Sequence, residues 1–271
     1  MPYVTYAIGD VHGRADLLEP LLAAISIDAG ACGSEPRVLF LGDIVDRGAR
    51  SRESMDLVCQ VLAKWPSSRL ILGNHDAYLL EFMTATKSDE RRFDNWLRQG
   101  GYQTLDSYGL LTAKSISHMG KTFRAMHPKH FNVLQEASSI VIDRKYAYTH
   151  AGIDPSRPVT DQDPRDLRLI RDGFLDYDGP LSHVVVHGHT PRRDWLPGIK
   201  ANRIGIDTGA YASGRLTCFA VWEDEENLQF LVAENVRGRI ETRKQDAAGL
   251  LQRAKDGREH HDNIGTGISA V

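Results

Sequence analysis

Cysteine is scarce in this sequence and follows no recognisable spacing. Cys32, Cys59 and Cys218 are widely separated and odd in number among 271 residues. A disulfide framework or a cysteine-based zinc site would need paired, closely spaced cysteines. No arginine-rich loop follows Cys59 or Cys218 to activate a thiol. We therefore expect reduced thiols, as in a cytoplasmic protein, and no chemistry that depends on a cysteine nucleophile.

An excess of charge of one sign and a long apolar run are also missing. The chain has 33 Lys and Arg residues against 36 Asp and Glu residues, for a net charge of −3. This balance gives no basic footprint for nucleic acid or for an anionic membrane. No apolar stretch approaches the roughly 20 residues that cross a bilayer, and MPYVTYAIGD lacks the regions of a signal peptide. We expect a cytoplasmic protein without nucleic-acid or membrane partners.

The apolar residues that are present form short β-branched runs that alternate with helical patterns. They predict strands at 3–9, 37–42 and 69–73, separated by helices at about 14–28 and 51–65. Such a βαβαβ alternation implies a largely parallel sheet covered by helices.

The rest of the sequence predicts a helical insert, a second sheet and a polar tail. The insert covers about 77–136. Later strands are predicted at 139–142, 145–149, 183–187, 203–207, 215–222 and 228–233. These strands follow each other closely, which favours a mixed or antiparallel arrangement. We therefore expect one α/β domain over 1–236 and a mobile polar tail over 237–271, with weak helical character at 245–255.

Polar side chains that can bind a metal recur where the predicted strands end. They are Asp10 and His12, Asp43 and Asp46, Asn74, His75 and Asp76, His150, and His187 and His189. Turn formation or helix capping could explain any one of them, but five separate turns would each have to contain Asp, Asn or His. In open α/β sheets the carboxyl ends of the strands converge on the crevice where ligands bind. The pattern therefore predicts one shared site.

The residue types at this site favour two metal ions and phosphate chemistry. Asp, Asn and His without Cys select a metal of intermediate hardness, such as manganese, iron or zinc. About seven ligands are too many for one ion and suit two ions that share a carboxylate, about 3.5–4 Å apart, which is the arrangement that promotes displacement at phosphorus. Arg47, directly after Asp46, offers a planar fork for phosphate oxygens.

Five sequence blocks carry a family resemblance. They are GDVHG (9–13), GDIVDRG (42–48), GNHD (73–76), HAG (150–152) and GHT (188–190). Their order and spacing resemble the PPP family of metallophosphoesterases, of the bacterial serine/threonine protein phosphatase type. The family also contains the symmetrical diadenosine tetraphosphatases. The resemblance implies a calcineurin-like α/β sandwich with two central mixed β-sheets flanked by helices.

The resemblance also assigns the ligands of two divalent ions, with manganese favoured and iron or zinc as alternatives. The implied ligands are Asp10 and His12 for the first ion, Asp43 for both ions, and Asn74, His150 and His189 for the second. The family pattern places the last ligand directly before the threonine. His187 is therefore interpreted as a neighbour that packs or hydrogen-bonds near the site.

Catalytic and phosphate-binding roles follow from the same resemblance. His75 is expected to be the general acid that protonates the leaving oxygen, and Asp46 to orient it and keep it protonated. Arg47 is expected to hold the phosphate. The segment LRLIRDGFL resembles the one that carries a second phosphate arginine; we assign this role to Arg171, with Arg168 as the alternative.

The expected activity is hydrolysis of phosphomonoesters by direct attack of a metal-bridging water. Within this class we expect a serine/threonine phosphoprotein phosphatase. GNHDAYLL resembles the dinucleoside polyphosphatase branch, whereas GDIVDRG and HGHTP resemble the bacterial protein phosphatases. Asp46 favours phosphoproteins because the poor alkoxide leaving group needs a proton donor. The alternatives are symmetrical diadenosine tetraphosphate hydrolysis and a non-catalytic metal-binding regulatory module.

Overall fold

The computed structural model of this chain describes residues 3–84, 90–111, 115–222 and 228–247. Its strands are β1 (Tyr3–Ile8), β2 (Glu35–Phe40), β3 (Arg69–Leu70), β4 (Ile140–Asp143), β5 (Tyr146–Thr149), β6 (Val184–His187), β7 (Gly198–Ile199), β8 (Arg203–Gly205), β9 (Arg215–Val221), β10 (Leu228–Val236) and β11 (Arg239–Asp246). They form a six-stranded sheet in the order β11-β10-β9-β1-β2-β3 and a five-stranded sheet in the order β4-β5-β6-β8-β7.

Both sheets are mixed, as predicted. Strands β1, β2 and β3 run parallel, and the β9–β10–β11 meander joins β1 in antiparallel fashion. In the second sheet β5, β6 and β8 are parallel, whereas β4 and β7 are antiparallel to their neighbours. The parallel strands of the two sheets therefore supply the carboxyl ends that the sequence pattern singled out.

Helices cover the outer faces and form the segment that follows β3. They are α1 (Ala15–Ala31), α2 (Ser51–Lys64), α3 (Asn74–Thr84), α4 (Glu90–Trp96), a π-helical turn (Leu97–Gly101), α5 (Tyr102–Ser107), α6 (Ile116–Met126), α7 (Pro128–Gln135), α8 (Asp166–Leu169), α9 (Asp172–Leu175) and α10 (Ala210–Ser213). Within the described residues no helix combines the length and the apolar character that crossing a bilayer requires.

The core has two main layers. One lies between the two sheets and contains Leu41, Ile71, Tyr148 and Phe219, all nearly inaccessible to solvent. The other packs α1, α2 and the helical segment against the opposite face of the six-stranded sheet. Because apolar side chains fill both faces of β1 and β2, these strands are held rigidly and the loops at their carboxyl ends are fixed in place.

The stretch after residue 236 differs from the prediction. A polar tail was expected from 237, but Arg239–Asp246 forms β11 and pairs with β10 along its whole length. The hairpin turn places Arg237 and Gly238 at φ values of 53° and 85°, which suits a tight two-residue connection. The side chains of residues 239–245 in β11 are exposed or partly exposed, so the strand carries no apolar alternation that could reveal it. Most of the predicted helix at 245–255, and residues 248–271, lie outside the described residues.

Candidate metal centre

The strand-end loops adopt an uncommon backbone conformation at several residues predicted to bind metal or phosphate or to take part in catalysis. Positive φ values occur at His12 (46°), Asp43 (51°), Asp46 (72°), Arg47 (68°) and His189 (66°). Non-glycine residues rarely adopt this region, and such strain concentrates where the surrounding structure fixes a functional side chain. The loops are thus shaped around these side chains.

Two glycines let the loops approach the carboxylates closely. A methyl group at Gly188 would lie 2.0 Å from Asp10 Oδ1, and one at Gly73 would lie 2.2 Å from Asp43 Oδ1. Any side chain at these positions would therefore displace a carboxylate.

Asp43 lies at the centre of two overlapping clusters. His12, Asp43 and His75 form one, and Asp43, His150 and His189 form the other; in each, potential ligand atoms lie within 4.8 Å of one another. Asp43 Oδ2 is 3.6 Å from His12 Nε2 and 3.5 Å from His150 Nε2. The backbone N–H of His75 donates to Asp43 Oδ1 at 2.9 Å. One carboxylate oxygen is thus anchored, and the other faces histidines on both sides.

Backbone carbonyls orient two of these histidines. His12 Nδ1 lies 2.9 Å from the carbonyl oxygen of Val45, and His150 Nδ1 lies 2.7 Å from that of Leu41. Donation from Nδ1–H fixes each ring with its Nε2 facing Asp43, as in metal-binding histidines, and any proton on Nε2 must leave before an ion can bind there.

Asn74, His189 and Asp10 complete the centre. Asn74 Oδ1 lies 3.0 Å from His150 Nε2. His189 Nε2 is buried and has no hydrogen-bond partner among the described residues. The backbone N–H of His189 lies 3.1 Å from both carboxylate oxygens of Asp10 and donates to them. The six side chains predicted as ligands therefore meet in one place.

The electrostatics of this centre fit a divalent cation. Burial and the neighbouring Asp207 raise the pKa of Asp10 well above its usual range. Burial alone would lower the pKa of His150, but Asp43 raises it to about 10. Burial lowers the pKa of both His12 and His189 to about 3, so both rings are neutral. A buried carboxylate is stable only when a proton or a cation compensates its charge. Such carboxylates beside neutral imidazoles with free lone pairs form the donor set of a metal site.

A second group of hydrogen bonds connects His75 to Asp46. His75 Nδ1 lies 2.6 Å from Asp46 Oδ2, and both side chains are buried. Burial opposes protonation of His75, yet Asp43 and the hydrogen bond to Asp46 raise its pKa above the usual value. Arg47 Nη2 lies 3.1 Å from His75 Nε2, and the Arg47 guanidinium lies over the Tyr211 ring at 4.5 Å.

Residues 3–209 match the sequence model of the calcineurin-like phosphoesterases. The chain belongs to this family. It is therefore a metal-dependent phosphoester hydrolase by family, and its clustered histidines and aspartates suit divalent metals.

The named relatives of this calcineurin-like phosphoesterase include dinucleoside tetraphosphatases. The asymmetrical bis(5'-nucleosyl)-tetraphosphatase of Oceanobacillus iheyensis is 28% identical over 80% of this chain and 88% of its own length. The symmetrical bis(5'-nucleosyl)-tetraphosphatase of Vibrio campbellii is 24% identical over 82% of this chain and 96% of its own length. A solved structure of a Saccharomyces cerevisiae protein serine/threonine phosphatase has a TM-score of 0.51 at 15% identity, covering 91% of this chain and 80% of that one. This last likeness shows the fold alone.

The two candidates for a second phosphate arginine in this phosphoesterase, Arg168 and Arg171, lie in or next to different helices. Arg171 lies close enough to His189 for its charge to contribute to lowering the pKa of that histidine. Arg168 lies within α8, and Arg171 directly precedes α9. The assignment of the phosphate role to Arg171 stays a prediction.

His187, by contrast, lies beside the centre. Its Nδ1 lies 3.0 Å from the carbonyl oxygen of Gly188, and its ring packs edge-on against Phe174 at 5.2 Å. These contacts agree with its interpretation as a packing neighbour.

Two buried acids make contacts near the centre to which no role was assigned from the sequence. Asp207 follows β8, repeating the strand-end pattern, and its charge raises the pKa of Asp10. Asp76 accepts hydrogen bonds from the backbone N–H groups of Ile44 at 2.9 Å and Gly73 at 3.3 Å. Asp76 thus joins two strand-end loops, and burial raises its pKa to about 7. The pattern after β8 could have identified Asp207.

Proposed function

We propose that this protein hydrolyses dinucleoside polyphosphates with two divalent metal ions. The observation that carries the chemistry is that Asp43 Oδ2 lies 3.6 Å from His12 Nε2 and 3.5 Å from His150 Nε2, within reach of both histidines as a carboxylate shared by two ions needs to be. The substrate class is supported by the two full-length relatives named as bis(5'-nucleosyl)-tetraphosphatases.

A phosphoprotein phosphatase, the activity expected first from the sequence, is the second candidate. The observation in its favour is the buried hydrogen bond of 2.6 Å between His75 and Asp46. A positioned acid matters most for an alkoxide leaving group such as that of phosphoserine. A polyphosphate leaving group is more acidic and needs this help less. The same hydrogen bond weighs against a non-catalytic module.

The proposed ligand sets are those that the family resemblance implied. They are Asp10, His12 and Asp43 for one ion and Asp43, Asn74, His150 and His189 for the other. Oxygen and imidazole ligands without cysteine favour manganese over softer ions, with iron and zinc as alternatives. Two divalent ions bound there would lower the pKa of a bound water and neutralise the charge of the phosphoryl oxygens.

The protein's own side chains complete the chemistry. Arg47 and Arg171 bind phosphate oxygens, and the Tyr211 ring supports the Arg47 guanidinium, which lies over it. His75 donates a proton to the leaving oxygen, and Asp46 accepts the Nδ1–H of His75 and so fixes the direction of Nε2.

A rate panel with added manganese tests the proposal. It compares diadenosine tetraphosphate with phosphoserine, phosphothreonine and phosphotyrosine peptides and 4-nitrophenyl phosphate. We expect kcat/KM to be highest for the dinucleotide, and the nucleotide products identify symmetrical or asymmetrical cleavage. A preference of about a hundredfold for a phosphothreonine peptide would instead establish the second candidate. Failure to hydrolyse every member would contradict both.

The acid role of His75 has its own test. His75→Asn should keep most of the metal yet lose on the order of 10²–10⁴ in rate for alkyl phosphates. The loss should shrink for 4-nitrophenyl phosphate, whose leaving group needs little protonation. An equal loss for both substrates would contradict the acid assignment.

A further inference from the structure

The helical segment after β3 reaches Asp46 with two side chains. Trp96, at the end of α4, donates its indole N–H to Asp46 Oδ2 at 2.7 Å. Thr104, in α5, donates its hydroxyl to Asp46 Oδ1 at 2.6 Å. All three side chains are almost completely buried. Hydrogen bonds between charged and neutral partners in such a dry setting are short and strong.

These contacts leave the Asp46 carboxylate no freedom to rotate. Oδ2 accepts from both His75 and Trp96, and Oδ1 accepts from Thr104. The backbone N–H of Asp46 in turn donates to the Thr104 hydroxyl oxygen at 2.9 Å. Thr104 therefore binds the backbone and the side chain of the same residue, while the indole fixes the oxygen that His75 uses.

The backbone of the segment is shaped around the same loop. The carbonyl oxygen of Gly100 accepts a hydrogen bond from the Arg47 N–H at 3.2 Å. A methyl group at Gly100 would lie 2.4 Å from that nitrogen, and one at Gly101 would lie 2.5 Å from the Trp96 indole. Arg47 has a positive φ, like Asp46. The helical segment therefore packs on a strained loop, the one that contains both residues.

Packing alone does not account for Trp96. Its ring contacts Phe82 and Phe93 at centroid distances of 5.1 and 5.9 Å, contacts that an apolar ring of similar size could also make. The indole N–H adds a direct hydrogen bond to a carboxylate that already binds His75.

We propose that Trp96 and Thr104 are positioning residues that lock Asp46 and thereby aim His75 Nε2 at the leaving oxygen. The inference rests on the proposed function, in which His75 is the proton donor. Loss of either donor lets the carboxylate turn, and His75 then samples directions from which it cannot donate. The effect should appear in kcat for poor leaving groups and leave KM and metal content unchanged, because neither residue touches the ligand set.

The variants separate hydrogen bonding from packing. Trp96→Phe removes the indole N–H and keeps an aromatic ring; Thr104→Val removes the hydroxyl at nearly constant volume, and Thr104→Ser restores it. Phe93→Leu is the matched control, since Phe93 packs on Trp96 without reaching Asp46. We expect Trp96→Phe and Thr104→Val to lose about tenfold to a hundredfold in kcat on alkyl phosphates, the range for a hydrogen bond to a charged group.

The same variants should lose less than about threefold on 4-nitrophenyl phosphate, with Thr104→Ser and Phe93→Leu close to wild type. Thermal unfolding and metal analysis identify any variant that misfolds. Equal losses on both substrates, or full activity in Trp96→Phe and Thr104→Val, would overturn the positioning role.

Proton NMR of the metal-free protein gives a readout that needs no activity. The His75 Nδ1 proton, assigned by its loss in His75→Asn, should resonate far downfield because it is held between His75 and Asp46. It should shift or broaden in Trp96→Phe and Thr104→Val and return in Thr104→Ser. An unchanged signal in the first two variants would overturn the inference. A wild-type protein that hydrolyses no phosphoester would instead contradict the proposed function, and the NMR result would still decide the inference.

Discussion

Gly188→Ala should remove one metal ion and leave the other. Gly188 does not have a left-handed backbone, so the backbone conformation at this position allows alanine. Its methyl group would lie 2.0 Å from Asp10 Oδ1, whereas ordinary contact begins at 3.4 Å, so the carboxylate must retreat by about 1.4 Å. Metal–ligand distances tolerate deviations of about 0.2 Å. Asp10 would therefore lose its place in the shell of the first ion.

The second ion should remain because Asn74, His150 and His189 hold it without Asp10. We expect metal content to fall from about two ions per chain to about one, and kcat/KM to fall by about 10–100-fold. Metal analysis after desalting, with rates on the best substrate of the panel, measures both quantities.

Gly30→Ala is the matched control. Gly30 lies within α1, and a methyl group there meets no atom within 4 Å. The control should keep both ions and the wild-type rate, and gain about 0.5–1 kcal/mol in unfolding free energy. A Gly188→Ala protein with two tightly held ions and full activity would refute the assignment of Asp10 as a ligand of the first ion.

Three further predictions concern the same centre. Asp43→Asn should lose both ions, since neither shell closes without the shared carboxylate; metal analysis showing two tightly held ions would contradict the bridge. His189→Ala should lower metal content and activity together, whereas His187→Ala should leave metal content nearly intact, and the reverse result would place the ligand two residues earlier. Metal affinity should rise with pH, because the pKa of His150, about 10, keeps that ring protonated in the metal-free protein near neutral pH, and the raised pKa of Asp10 makes it hold its proton to a higher pH than an ordinary carboxyl group. An ion must displace these protons, and titration calorimetry in buffers of different ionisation enthalpy measures their release. A metal affinity that does not change between about pH 6 and about pH 9 would contradict this prediction.

The layout of the centre could be predicted because it depends on local patterns. Apolar runs located β1, β2 and β5, and a polar residue directly after each run placed Asp10, Asp43 and His150 at strand ends. β1 and β2 are parallel neighbours in one sheet, so their carboxyl ends bring Asp10 and Asp43 together. His150 follows a strand of the other sheet, and the two-sheet sandwich and the full ligand set were expected from the family resemblance.

The support for Asp46 could not be predicted in the same way. Trp96 and Thr104 follow Asp46 by 50 and 58 residues, and their helices carry apolar patterns typical of ordinary core. Only the packed structure shows that the indole N–H and the hydroxyl face a carboxylate. Strand β11 escaped prediction for a different reason, because an exposed edge strand is held by backbone pairing and needs no apolar face.

The position of Asp43 has a consequence for the whole sandwich. Asp43 follows a strand of the six-stranded sheet, whereas His150 and His189 follow strands of the five-stranded sheet. An ion held by all three would cross-link two layers that also meet through apolar side chains such as Leu41, Tyr148 and Phe219. The volume of those side chains would then set the gap between the layers and the spacing of any two ions bound there. Substitutions of these buried side chains, which lie away from the solvent-facing crevice, should therefore change the rate of hydrolysis by changing the distance between the ions.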